Sequence, residues 1–150
     1  MSETTIEVIT NNNKYQLSSK NFKNLYSQLT QCELLNEEEF NKWFESITNN
    51  KSIIMFCIFK LPYYELIGTA CIYIKQCYYR SMAKSATIED LVVDINYRGN
   101  GLGKKMIDYI IDYSKKNDIY KIVLQCTYEN EEFYKKCGFE SKNLLMSKYF

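Results

Sequence analysis

Apolar positions along the chain repeat with two different periods. SIIMFCIFK (52–60) and ELIGTACIYIKQ (65–76) are near-continuous or alternating apolar runs, rich in β-branched and aromatic residues, and predict two strands of a hairpin or meander. Residues 86–95 predict a third strand and YKIVLQC (120–126) a buried one. Between them, Leu102, Met106, Ile107, Ile110, Ile111 and Tyr113 lie on one face of a helix over 101–116. Earlier in the chain, residues 21–29 (NFKNLYSQL) predict a helix. Asn36 can cap a second, EEEFNKWFESI, with Glu39 at the capping-box position. NEEFYKKC predicts a short helix and residues 139–149 a last strand. The only proline, Pro62, falls in a turn between two apolar runs. Two helices, three strands, then helix, strand, helix, strand describe one mixed α/β domain spanning 1–150, a central sheet with a crossover helix. For residues 1–15 the sequence leaves open whether the segment is ordered or flexible.

Charge changes this picture little. Lys+Arg number 19 and Asp+Glu 18, a net charge of +1, so neither nucleic acid nor an anionic membrane is an expected partner. With 46% hydrophobic and 15% aromatic residues, the chain is not a disordered one. No run is long and apolar enough to span a bilayer, and MSETTIEVITNNNKYQ lacks the pattern of a secretory signal, so the expected location is cytoplasmic. Six cysteines without CxxC spacing, most of them inside apolar patterns, are expected as reduced, mostly buried thiols. The absence of histidine removes Ser-His-Asp and Cys-His nucleophile systems, HExxH sites and His-containing zinc sites, and no metal is expected. Chemistry is left to carboxylates, tyrosine, lysine and backbone groups.

One stretch concentrates that chemistry. In IEDLVVDINYRGNGLGKK (88–105) an apolar strand enters a glycine-rich turn, and an amphipathic helix leaves it. The glycines at 99, 101 and 103 do not have the GxGxxG spacing of a dinucleotide fold or the GxxxxGK[ST] spacing of a P-loop. Taken alone they also suit an ordinary turn with a helix cap. Between strand and helix, however, bare amides lie at the positive end of a helix, bracketed by Arg98 and Lys104. Glycine lets a bulky diphosphate approach the backbone. The physics points to a phosphate-bearing ligand.

The order [R/Q]xxGxG/A after a strand, met here by Arg98, Gly99, Asn100, Gly101, Leu102 and Gly103, resembles the pyrophosphate loop of the GNAT superfamily of N-acetyltransferases. Asn130, followed by Phe133, Tyr134, Lys135, Lys136, Cys137, Gly138 and Phe139, resembles that superfamily's second motif. Within it, AKSATIEDLVV, YKIVLQC with YENEEFYKKCGF, and LTQCELLNEEEF are similar to segments of the glucosamine 6-phosphate N-acetyltransferases.

The resemblance implies the acyl-CoA N-acyltransferase fold, acetyl-CoA as cosubstrate, an amino-sugar phosphate as acceptor and a homodimer. It also implies roles. Leu91 and Val93, on a strand splayed at a bulge, would serve the pantetheine arm, Arg98 to Lys104 the pyrophosphate, and Asn130 and Tyr134 the thioester, with Val92, Phe133 and Lys136 as further coenzyme contacts. Glu89 and Asp90 would face the reacting amine, with Tyr134 opposite as acid toward the leaving thiolate. Thr30, Lys84 and Thr87 would touch the sugar phosphate, joined by Lys148 from a partner subunit. Each has a plain structural alternative: Tyr134 as one of fourteen tyrosines packing a core, Glu89 and Asp90 as solvated strand residues, Thr30 as a turn cap. The chain departs from the family pattern at Glu33, at Ser85-Ala86-Thr87, at Gln125 and in the C-terminal MSKYF, all on the sugar side. A peptide N-terminus, a lysine or a polyamine therefore stays open as acceptor, as does a non-catalytic coenzyme-binding domain.

Overall fold

The computed structural model describes residues 3–150, Tyr15 by its backbone only. Five strands form one sheet in the order β1-β2-β3-β4-β5: β1 (Thr4–Val8), β2 (Ile53–Lys60), β3 (Glu65–Gln76), β4 (Lys84–Val93) and β5 (Ile119–Leu124). Each of the first four is antiparallel to its neighbour and β5 joins β4 in parallel, so the predicted crossover is the long helix α4 (Leu102–Lys116). Helices α1 (Ser19–Tyr26) and α2 (Glu37–Thr48) cover one face; α4 covers the other, and α5 (Tyr128–Lys136) follows β5. A one-turn element, α3 (Tyr79–Met82), links β3 to β4 with Arg80 and Ser81 at left-handed φ.

The helix starts follow their sequence. Ser18 Oγ accepts from the Asn21 N–H to start α1, and Asn36 forms the predicted reciprocal box with Glu39 at 2.9 Å each way. Strand alternation then divides the core. Met55, Cys57, Phe59 and Cys71 meet Phe22, Leu25, Phe40 and Phe44 beneath α1 and α2. Phe56, Ile58, Ala70, Ile72, Ala86 and Ile88 meet Met106, Ile107 and Ile110 of α4.

The N-terminal stretch takes part in the sheet, and the C-terminal expectation changes. Thr4–Val8, inside the stretch whose order the sequence left open, pairs with β2 from Thr4↔Lys60 to Val8↔Phe56, and a 3-10 turn follows at Asn11–Gln16; Met1 and Ser2 lie outside the described residues. Residues 139–149, expected as a strand, form none. A strand exists only where a neighbour takes its backbone hydrogen bonds, and residues 140–150 find no such neighbour and are exposed throughout. The six cysteines are free thiols; Cys57, Cys71 and Cys77 are buried, while Cys126 is exposed.

Candidate active site

Two features of β4 make a site. The first is a bulge. Thr69 pairs with Val92 and Cys71 with Glu89, so Asp90 and Leu91 together oppose Ala70, and Asp90 takes φ 53°. The second is a divergence. The β4–β5 ladder ends at Ile88↔Leu124, whereas β4 runs on to Val93 paired only with β3. The β5-facing edge of residues 89–93 is therefore left without a strand. Here Leu91 and Val93 have the setting that the resemblance implies for an extended ligand arm. Val92 is buried, on the α1–α2 side, and packs instead of lining the gap. Val93 O accepts from Arg98 Nε at 2.8 Å.

At the end of this strand lies the glycine loop. Gly99 and Gly101 have φ of 80° and 75°, and a Cβ at either would meet nothing within 4 Å. Their role is conformational, with open space above the backbone. Gly101 caps α4 without any side-chain hydrogen bond, so the first-turn amides of α4 are unclaimed by a cap and sit at its positive end. This geometry fits an anionic diphosphate. Gly103 serves a different purpose: a Cβ there would stand 3.2 Å from Phe133 Cζ, so the missing side chain lets α5 close on α4.

The two cations expected at the loop are committed within the chain. Arg98 bonds Val93 O and faces Gln28 Oε1 at 3.4 Å, and Lys104 Nζ pairs with Asp108 at 2.7 Å. The loop thus offers chiefly backbone donors. Asn100 Nδ2 turns back to Tyr97 O at 3.1 Å, and Leu102 is buried under the loop.

Across the gap, α5 begins at Thr127 and carries Asn130 in its exposed first turn. Tyr134 is half-buried, its ring edge-on to Phe133 at 4.9 Å and to Phe139 at 6.1 Å. Burial pushes its phenol up from the ordinary value, with Cys126 and Cys137 adding to the effect. Among the described residues its hydroxyl has no hydrogen-bond partner. Lys136, one turn end later, is exposed.

On the α1–α2 face of the sheet, the side of Cys71, lies an open cleft of about 420 Å³ lined by Tyr73, Thr87, Glu89 and Asp90. Burial raises the carboxyl of Asp90; burial and then the charge of Asp90 raise that of Glu89. The pairings Cys71↔Glu89, Tyr73↔Thr87 and Lys75↔Ser85 put these side chains on one face, and β5 extends the row with Ser85↔Lys121 and Thr87↔Val123. Along that face the chemistry changes from two carboxylates, through two hydroxyls, to a serine flanked by Lys75 and Lys121.

Lys84, expected in this cleft, belongs to the other alternation: it falls in step with Ala86 and Ile88, and its Nζ donates to Asn117 O at 3.3 Å. Thr30 is exposed after α1, its N–H on Tyr26 O at 3.0 Å. Lys148 is in the exposed C-terminal segment with Nζ 5.2 Å from the Phe150 ring, so within one chain it does not join the cleft. Tyr73, Lys75 and Lys121 escaped the sequence reading. Alternation along β3 put Tyr73 and Lys75 in one row, but only strand pairing brings Lys121 beside them. Among the described residues no group of three or more carboxylates and thiols is placed to hold a metal ion.

A sheet split at β4, a glycine loop capping a helix at the split and a tyrosine across the gap are the features of an acyl transferase site. The chain belongs to the GNAT acetyltransferase family, whose model matches residues 19–139, and the family uses acetyl-CoA as cosubstrate. A glucosamine 6-phosphate N-acetyltransferase from Arabidopsis thaliana is 36% identical over 132 residues, 87% of this chain and 89% of that protein. The crystal structure of glucosamine-6-phosphate N-acetyltransferase from the same plant superposes with a TM-score of 0.81 at 32% identity, covering 97% of this chain and 99% of that one. A Trypanosoma brucei acetyltransferase superposes at 0.87 with 26% identity, covering 99% and 100%.

Proposed function

We propose that the protein transfers acetyl from acetyl-CoA to the 2-amino group of glucosamine 6-phosphate, by direct attack within a ternary complex, supplying N-acetylglucosamine 6-phosphate to amino-sugar nucleotide synthesis. The observation that carries this reading is the opposite charge at the two ends of one sheet face. Glu89 and Asp90 suit an ammonium group and Lys75 with Lys121 suit a phosphate, with the Tyr73 and Thr87 hydroxyls between them. From Glu89 to Ser85 is roughly 13 Å of strand, and Lys121 Nζ lies 5.7 Å from the Tyr120 ring, so the lysines must swing back toward the cleft to meet a phosphate. A polyamine carries no anion for the two lysines, and a peptide acceptor gives them no fixed partner.

In the mechanism the coenzyme supplies an activated thioester. The chain's own groups hold and deprotonate the acceptor. Glu89 or Asp90, whose raised carboxyls are the better bases for it, takes the proton that the amine loses, directly or through water. Backbone N–H groups on the unpaired edge of β4 are available to negative charge developing on the acetyl oxygen. Tyr134 gives its phenolic proton, or a hydrogen bond, to the departing thiolate. Pantetheine contacts fall to Leu91 and Val93, diphosphate contacts to the Gly99–Gly103 amides, and thioester-side contacts to Asn130 and Tyr134.

The working unit on this reading is a cytoplasmic homodimer. The exposed Leu144, Met146 and Phe150 support a second subunit against the C-terminal segment, which would carry Lys148 toward the partner's cleft. No helix among the described residues is long and apolar enough to cross a membrane.

The test is release of coenzyme A thiol with glucosamine 6-phosphate, glucosamine, spermidine and a short peptide in parallel, repeated for Lys75→Gln/Lys121→Gln. Turnover should favour the phosphorylated sugar. The double variant should lose about 100-fold in kcat/KM for it, roughly one charge-assisted hydrogen bond per lysine, with little change for glucosamine. Turnover confined to another amine, or equal losses on both sugars, refutes the assignment.

A further inference from the structure

Gln28 lies just beyond α1, and its side-chain amide is committed at both ends. Oε1 accepts from the Ile95 N–H at 2.9 Å and faces Arg98 Nη2 at 3.4 Å. Nε2 donates to Asp94 Oδ2 at 3.1 Å and to Asn24 O at 3.1 Å. Two donors and two acceptor sites are all that a primary amide has, and all four are in use. Asn24 is on α1 itself; the other three partners lie in residues 94–98, the turn that carries β4 into the glycine loop. Asp94 also caps that turn, its Oδ1 accepting from the Asn96 N–H at 2.9 Å, and Arg98 closes it on Val93 O. A side chain 66 to 70 residues away in sequence thus ties the base of the loop to α1.

We propose that Gln28 is a positioning residue for the coenzyme. It fixes the 94–98 turn and with it the direction in which the Gly99–Gly103 amides face the diphosphate. The inference rests on assigning that loop to the coenzyme's diphosphate. Backbone donors serve an anion well only when they converge before it arrives, because ordering the loop on binding is subtracted from affinity. Glycines at 99 and 101 leave the loop free to wander, so the constraint has to come from its base. The amide chemistry is specific. Asp94 needs a donor and Ile95 an acceptor, which glutamine supplies from one group. In Gln28→Glu a carboxylate would face the Asp94 carboxylate, and in Gln28→Met a stem of similar length carries neither function.

Binding of coenzyme A and of pantetheine, which lacks the diphosphate, separates positioning from folding. Both are titrated calorimetrically into the full-length wild type, Gln28→Met and Gln28→Glu, with thermal unfolding measured alongside. Coenzyme A should bind about tenfold more weakly to Gln28→Met, the weight of one lost hydrogen bond expressed as pre-organisation. Pantetheine should bind unchanged. Gln28→Glu, which keeps the acceptor for Ile95 and Arg98 but sets a carboxylate against Asp94, should bind coenzyme A no better than Gln28→Met. Equal weakening of both ligands, with a fall in melting temperature, makes Gln28 a structural residue and overturns the inference, as does unchanged coenzyme A binding. If the wild type itself binds coenzyme A no better than pantetheine, the diphosphate assignment of the loop is wrong and the inference falls with it.

Discussion

Replacing Tyr134 by phenylalanine should separate catalysis from packing. The Tyr134 ring is edge-on to Phe133 at 4.9 Å and 72° and to Phe139 at 6.1 Å and 81°. Each such pair is worth about 0.5–1.5 kcal/mol, and both survive in Tyr134→Phe. The hydroxyl has no hydrogen-bond partner among the described residues, so its loss strands no buried group. Stability should therefore change by no more than about 0.5 kcal/mol. Turnover is another matter. If the phenol meets the departing thiolate, its removal should lower kcat by roughly 10²-fold, about 2.7 kcal/mol of barrier, with KM for both substrates nearly unchanged. Thiol release under saturating substrates measures kcat, and thermal unfolding of the same preparation measures the packing. A Tyr134→Ala control should lose activity and stability together, because both ring contacts go. A Tyr134→Phe enzyme within threefold of wild type would refute the acid role, leaving Tyr134 as a core tyrosine. So would a kcat loss matched by a fall in melting temperature.

Two other outcomes follow from the site. Gly101→Ala places a Cβ at φ 75°, where open space removes any clash but the left-handed backbone costs roughly 1–2 kcal/mol; unfolding in urea should report that loss, and a neutral result would mean the loop is free to change conformation. The carboxyls of Glu89 and Asp90 are raised above their ordinary values of 4.5 and 3.8. The folded state thus holds their protons more tightly than the unfolded chain. Their stabilising contribution is full below the unfolded values and is lost as pH rises through the folded ones. The proposed base function runs the other way, so kcat/KM should climb as pH rises through the raised folded values. A pH profile unaltered in Glu89→Gln and Asp90→Asn would remove both as the base.

The sequence by itself determined more of the glycine loop than of the carboxylate cleft, for a physical reason. A diphosphate loop is local: strand, glycines and helix start are consecutive in the chain, and backbone amides need no distant side chain to converge. Helix α4, the capping box at Asn36 and the strand runs at 53–60 and 65–76 were legible for the same reason, because period and caps are short-range properties. Thr4–Val8 was not, since a five-residue edge strand is defined by the neighbour it pairs with. The supposed last strand failed because no neighbour within the chain takes its hydrogen bonds. Only the tertiary structure decided the cleft at Glu89 and Asp90. Lys75, Ser85 and Lys121 become one row through β3–β4 and β4–β5 pairing, and the same alternation turns Lys84 to the other face. Gln28 meets Asp94, Ile95 and Arg98 only because α1 packs across β3 and β4. Local pattern fixes which elements form and where a backbone site can open; the side chains that line the cleft come together across strands, where spacing along the chain carries no information.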